Sequence, residues 1–145
     1  MCVSAKIGFT GSRTGLSSQQ RTALLRVLMD LAPDKIEVHH GMCVGADQDF
    51  NSLVRNQYAS EERLIVGHPP INNRYLGDMH VDVLRDVKEY MERNRDIVKE
   101  TVLLIACPNA PERQRSGTWA TVRFARSTNK RIITVWPDGR AIPEP

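Results

Sequence analysis

Apolar positions along this chain follow two alternating rhythms. Short apolar runs bounded by glycine, proline or polar clusters read as strands, and longer stretches with apolar residues at helical spacing read as helices. The first run, Ile7 to Phe9, breaks into Thr10-Gly11-Ser12-Arg13-Thr14-Gly15. Ser17 and Gln20 then form a capping box, and Leu24, Val27, Leu28 and Leu31 continue a helix that Pro33 stops. A second strand, Lys35 to His40, ends in Gly41-Met42-Cys43-Val44-Gly45-Ala46-Asp47 and leads into a helix marked by Ala46, Phe50, Leu53, Val54 and Gln57. The third strand is Arg63 to Gly67, closed by His68-Pro69-Pro70. Met79 to Lys88 is ambiguous, since VDVL reads as extended while Val83, Val87, Tyr90 and Asn94 fit a helix; a loop or short excursion is favoured, with a firm helix only from about Tyr90 to Glu100. The fourth strand, Thr101 to Ala106, is apolar on both faces, as a central parallel strand should be. A polar loop, Cys107 to Arg115, leads to a last helix from Ser116 to about Thr128. The fifth strand is Arg131 to Trp136, with Gly139 to Pro145 as a short tail.

About five strands alternating with four helices predict an α/β fold: a single Rossmann-like, doubly wound parallel sheet in the order 3-2-1-4-5. The sheet reverses its winding between the first and fourth strands. Ligands in such sheets sit at the carboxyl ends of the strands, at that reversal. The turns Gly11 to Gly15 and Cys107 to Gly117 should flank one crevice, with Gly41 to Asp47 beside it.

Composition narrows the picture modestly. The length, 145 residues, suits one domain with a proper core. No apolar run approaches the roughly 20 residues that span a bilayer, and no signal peptide is expected ahead of the first strand. Three cysteines, an odd number, argue against a disulfide framework and for a reducing, cytoplasmic setting. The net charge of +3 suits an anionic ligand but falls short of a dedicated nucleic-acid binder.

The candidate chemistry lies on the turns. Gly11, Ser12 and Arg13 come from the first, Gly45 and Asp47 from the second, and Arg115, Ser116, Gly117 and Thr118 from the fourth. Two glycine-bearing helix starts with two arginines suit a phosphate or diphosphate. Asp47 is the natural partner for a ribose hydroxyl. The spacing matches neither GxGxxG nor the Walker loop. Asn94 sits on the apolar stripe of its helix, either holding a loop or touching a ligand, and of its neighbours Arg93 and Arg95 the crevice is assigned to Arg95. His39 and His40 point to opposite faces of a strand, and adding Cys43 or His68 produces no recognised ligand spacing, so no metal is expected. Cys43 lies where a thiol pKa can be lowered, yet reads better as a small buried thiol. Trp119 and Tyr90 are positioned to stack on a base or simply to pack.

GFTGSR, HHGMCVGAD, IVGHPP, YMERNRDIV, LLIACP and RSGTWATVRFAR, in this order from about Lys6 to Gly139, resemble the SLOG superfamily, nearest its small YspA-like branch, often of phage or bacterial origin. That superfamily includes the Lonely-Guy phosphoribohydrolases and the Rossmann-like domain of DprA. The resemblance implies a nucleotide-like ligand held by Gly11, Ser12, Arg13, Gly41, Cys43, Gly45, Ala46, Asp47, His68, Pro69, Asn94, Arg95, Arg115, Ser116, Gly117, Thr118 and Trp119, without a further cofactor, and a homo-oligomer. The Lonely-Guy GGxGTxxE motif matches here at Gly117-Thr118, but Ala120 and Thr121 occupy the acidic positions. The leading expectation is therefore a binder of a nucleoside phosphate, an ADP-ribose-type molecule or a cyclic nucleotide, sequestering an immune signal if phage-encoded. The alternative is an N-glycosidic hydrolase of nucleoside monophosphates with Asp47 as acid/base. A nucleic-acid binder using Arg113, Arg115, Arg123, Arg126, Lys130 and Arg131 ranks third.

Overall fold

The computed structural model describes residues 5–145; the expected absence of a leader, and Cys2, concern positions outside them. The elements follow in order: β1 (Ala5–Gly11), α1 (Ser18–Leu31), β2 (Ile36–His40), α2 (Ala46–Gln57), β3 (Arg63–Gly67), β4 (Val83–Leu84), α3 (Tyr90–Lys99), β5 (Leu103–Cys107), α4 (Gly117–Ser127), β6 (Arg131–Val135) and β7 (Ala141–Pro143). A short 3-10 turn covers Asn73–Tyr75. All strands pair in one sheet of order β4-β3-β2-β1-β5-β6-β7. The α/β class and the inner order 3-2-1-4-5 hold, but the sheet has seven strands rather than five. β4 adds a parallel edge within the Met79 to Lys88 segment, and β7 folds the tail back antiparallel on β6. Both are too short to leave a period in the sequence. Pro143 is tolerated there because an edge strand need not donate on its outer side.

The sheet is covered on both faces. Alternate residues of β5 show why its sequence is uniformly apolar. Leu103, Ile105 and Cys107 join the core under α1 and α2, whereas Leu104 and Ala106 join Trp119, Val122 and Ala125 under α4. Phe9 stacks on Phe50 with ring centroids 4.1 Å apart, fixing α2 against β1. Burying such side chains contributes about 1.5–3 kcal/mol each.

The capping box at Ser17 forms, with the Ser17 hydroxyl accepting from the Gln20 amide and the Gln20 side chain accepting from the Ser17 amide. Gln20 is buried, and its Nε2 also donates to the carbonyls of Pro108 and Val135, each at 2.9 Å. One amide thus ties the start of α1 to the loops that leave β5 and β6. Replacing Gln20 with Ala leaves two inward carbonyls without a donor and should cost about 1–3 kcal/mol, read as a lower urea midpoint with an unchanged slope.

Candidate functional site

Parallel strands deliver their following turns to one end of the sheet, and crossovers leaving β1 and β5 go to opposite faces. Between those crossovers opens a crevice of about 330 Å³, within the size range of small-ligand sites. Each of its walls is built by local backbone chemistry.

The first wall is the turn after β1. Its amide at Ser12 donates to the Cys107 carbonyl, linking it to β5. The Ser12 hydroxyl accepts from the Thr14 amide and lies 2.7 Å from the Thr14 hydroxyl. The Arg13 guanidinium lies flat over Tyr75, 3.7 Å from the ring centroid. This stacking restrains a cation that is otherwise exposed.

The second wall is the turn after β2. Gly45 has φ of 90°, a left-handed conformation that glycine adopts freely. A Cβ there would run into the Arg13 carbonyl. Backbone of the first two turns therefore packs directly together, and the Ala46 amide donates to the Ser12 carbonyl at 2.9 Å. Asp47 is buried in the first turn of α2, and its Oδ2 accepts from the Cys43 amide at 3.0 Å. Burial raises its pKa, so the carboxyl keeps its proton to higher pH than usual; His40, Arg93 and backbone donors oppose this. His40 is buried on the same face. Its Nδ1 accepts from the Met42 amide, so Nε2 carries the hydrogen and donates to Asn51. Burial lowers its pKa and keeps the ring neutral.

The third wall is the loop after β5 with the start of α4. Ser116 caps the helix, its hydroxyl accepting from the Trp119 amide. The first-turn amides of Gly117 and Thr118 have no intrahelical acceptor to reach. Arg115, with φ of 59°, precedes the cap. The Trp119 indole donates to the Ala110 carbonyl and is buried among core residues, which makes it a packing residue that borders the crevice.

Twelve of the seventeen sequence-derived candidates come together here. Gly11, Ser12, Arg13, Gly41, Cys43, Asp47, Asn94, Arg115, Ser116, Gly117, Thr118 and Trp119 all line the crevice. Gly45, Ala46, His68, Pro69 and Arg95 do not. Gly45 and Ala46 sit behind the turns they shape. Arg95 points away, its guanidinium 5.5 Å from the Phe124 ring, so the assignment of the crevice to Arg95 is corrected to Arg93. Helical geometry separates the two by about 200°, and the stripe containing Ile97 selects the buried one. The Cys43 thiol pKa is raised, in line with the preferred reading of a part-buried thiol rather than an activated one. Burial, then the Asp47 charge, raises it, and the neighbouring Arg93 only partly offsets this. Cys43 and Cys107 are free thiols.

Arg93 is the residue the sequence reading undervalued. It is buried, and its Nη1 donates to the carbonyls of Gly41 and His68, the latter at 3.0 Å. Its Nε donates to Asn94 Oδ1 at 2.7 Å, which answers what that amide holds. Arg113 on the third wall also lines the crevice, having figured before only as surface charge. Substituting Arg93 with Met keeps its apolar stem but strands two carbonyls. The variant should lose at least about 2 kcal/mol of stability, measured by chemical denaturation.

No family profile matches the chain, and no curated protein sequence matches it. Among solved structures it is similar to the molybdenum cofactor binding protein from the phototrophic bacterium Rippkaea orientalis, with a TM-score of 0.69 and 19% identity over 94% of this chain and 78% of that one. It is also similar to the structural-genomics target TM1055, with a TM-score of 0.63 and 18% identity over 88% of this chain and 72% of that one. At such identities the likeness is one of fold, and the chain has a Rossmann-like α/β fold.

Proposed function

We propose that this protein binds a phosphorylated, nucleotide-derived small molecule in the crevice at the carboxyl ends of β1, β2 and β5. The observation that carries the reading is the crevice's charge. Arg13, Arg93, Arg113 and Arg115 line it together with the first turn of α4, against a single carboxylate, Asp47. That carboxylate is turned onto a backbone amide and is biased by burial towards its neutral form. An anion is the ligand that such a wall stabilises. Guanidinium groups offer it paired donors, and the helix start offers free amides with a favourable dipole. Tyr90, also in the lining, has a buried hydroxyl with no hydrogen-bond partner among the described residues, a group that a sugar or base can satisfy. The segments GFTGSR, HHGMCVGAD and RSGTWATVRFAR, on which the SLOG resemblance rests, each contribute residues to this crevice. A fold neighbour named for binding a cofactor agrees with small-molecule binding.

Thermal-shift and calorimetric titration with nucleoside mono- and diphosphates, cyclic nucleotides and ADP-ribose tests this. At least one should raise the melting temperature at concentrations well above its dissociation constant. Arg115→Asn keeps a residue that tolerates the left-handed backbone while removing the guanidinium. Arg13→Gln does the same at the first turn. Each should weaken binding at least about tenfold. Silence towards every one of these ligands ends the proposal.

A hydrolytic reading has one specific support: the raised pKa of buried Asp47, which suits a general acid. The chain would then release base from nucleoside monophosphates. Asp47→Asn should lower that release about 10²–10⁴-fold, followed as free base by chromatography. Release that survives the substitution unchanged would clear Asp47 of the role.

A further inference from the structure

On the face of the sheet opposite His40, the side chain of His39 leaves β2 towards α3. Its Nε2 is 2.7 Å from Glu37 Oε2, two residues back on the same face. Its Nδ1 is 2.8 Å from His68 Nε2, just beyond β3, and 3.9 Å from Glu100 Oε1, at the C-cap of α3. Both imidazoles are almost wholly buried, His39 at 1% and His68 at 2% exposure. The donor atoms of His39, His68 and Glu100 all lie within 4.8 Å of one another. None of the three lines the nucleotide crevice. We propose that His39 Nδ1, His68 Nε2 and Glu100 Oε1 form a binding site for a divalent transition metal of the zinc type, with water in the remaining position.

The donor set and its surroundings both support this. Two imidazoles and one carboxylate are an established ligand combination for zinc, with bonds of about 2.0–2.2 Å. Bonds of that length at a tetrahedral angle place donor atoms roughly 3.3–3.5 Å apart, so the 3.9 Å from His39 to Glu100 closes by about half an ångström, a movement open to the partly exposed Glu100 side chain. The two histidine nitrogens need to part by only a few tenths of an ångström, and the hydrogen on His68 Nε2 shifts to its own Nδ1, so that a neutral imidazole offers the ion its Nε2 lone pair. Glu37 then stands where metal-ligating histidines place a carboxylate. It accepts the Nε2 hydrogen of His39, so the Nδ1 lone pair is presented to the metal. Glu37 and Glu100 together balance a dication. Glu100 is one-third exposed and gives the ion a way in from solvent. Against them stands Arg85, whose Nη2 and Nε hold Glu100 Oε1 at 2.7 and 3.1 Å. The metal must compete with that ion pair, which is exposed and therefore weak. Bound there, the ion clamps β2, the start of the loop after β3, and the end of α3. The Arg93 hydrogen bond to the His68 carbonyl passes that clamp on to the crevice wall.

The test is titration of the chelator-treated chain with zinc, followed by melting temperature and calorimetry, and with cobalt(II), followed by visible absorption. One equivalent of zinc should bind and raise the melting temperature. Cobalt should give ligand-field bands of a four- or five-coordinate ion without a thiolate charge-transfer band. Glu100→Gln should weaken binding at least about tenfold, and Glu37→Gln about 10–100-fold. Arg85→Ala frees the carboxylate and should tighten binding, while Cys43→Ser should leave it unchanged. Glu100 and Arg85 are partly exposed, so these two variants report on the site even if substitutions at the buried histidines unfold the chain. No zinc-dependent shift, affinity indifferent to Glu100→Gln, or a thiolate band abolished by Cys43→Ser would each overturn the site.

Discussion

The governing constraint is that a parallel sheet buried on both faces must bring its chain round at every strand end while satisfying the backbone groups that the turns bury. In β1, β2 and β5 those turns fall at one end of the molecule, and the crossovers that follow β1 and β5 separate to opposite faces. Turns that meet there must pair their amides and carbonyls with one another or with side chains. This is what the structure does: Ser12 to Cys107, Ala46 to Ser12, Cys43 to Asp47. The crevice is the space left over between satisfied turns, faced by the guanidinium groups of Arg13, Arg113 and Arg115, by first-turn amides of α4, and by Arg93 and Asp47, which the turns themselves engage.

Arg93 shows how costly such arrangements are and why they persist. A buried guanidinium is unfavourable unless its donors are used. Here Nη1 serves two carbonyls and Nε serves Asn94. The guanidinium thereby joins α3 to the ends of both β2 and β3. Gly41 is part of the same contact, since a Cβ there would strike the Arg93 guanidinium. The positive potential of the crevice is therefore partly a by-product of holding the fold together. Positive charge beside the crevice and support for the loops come from one group.

Two histidines adjacent in sequence have separate lives for the same reason. His40 faces α2, where one ring nitrogen accepts a turn amide and the other donates to Asn51. His39 faces α3, in a chain with Glu37 and His68. The alternation of a strand assigns them to different layers, and each layer then supplies its own partners.

The sequence by itself determined the parallel core order, the four helices, the capped start of α1 and the three turns that meet in the crevice. These depend on local periodicity, glycine and proline positions, and capping residues, all of which act within a few neighbours. It left β4 undecided and β7 unread, because two or three residues carry no period and their pairing is supplied by the strand beside them. Only the tertiary structure decided between Arg93 and Arg95, sent His68 away from the crevice towards His39 and Glu100, and raised rather than lowered the Cys43 pKa. Each of those outcomes turns on burial and on partners distant along the chain. Periodicity is a property of one segment; desolvation and hydrogen-bond satisfaction belong to whatever the fold brings alongside it.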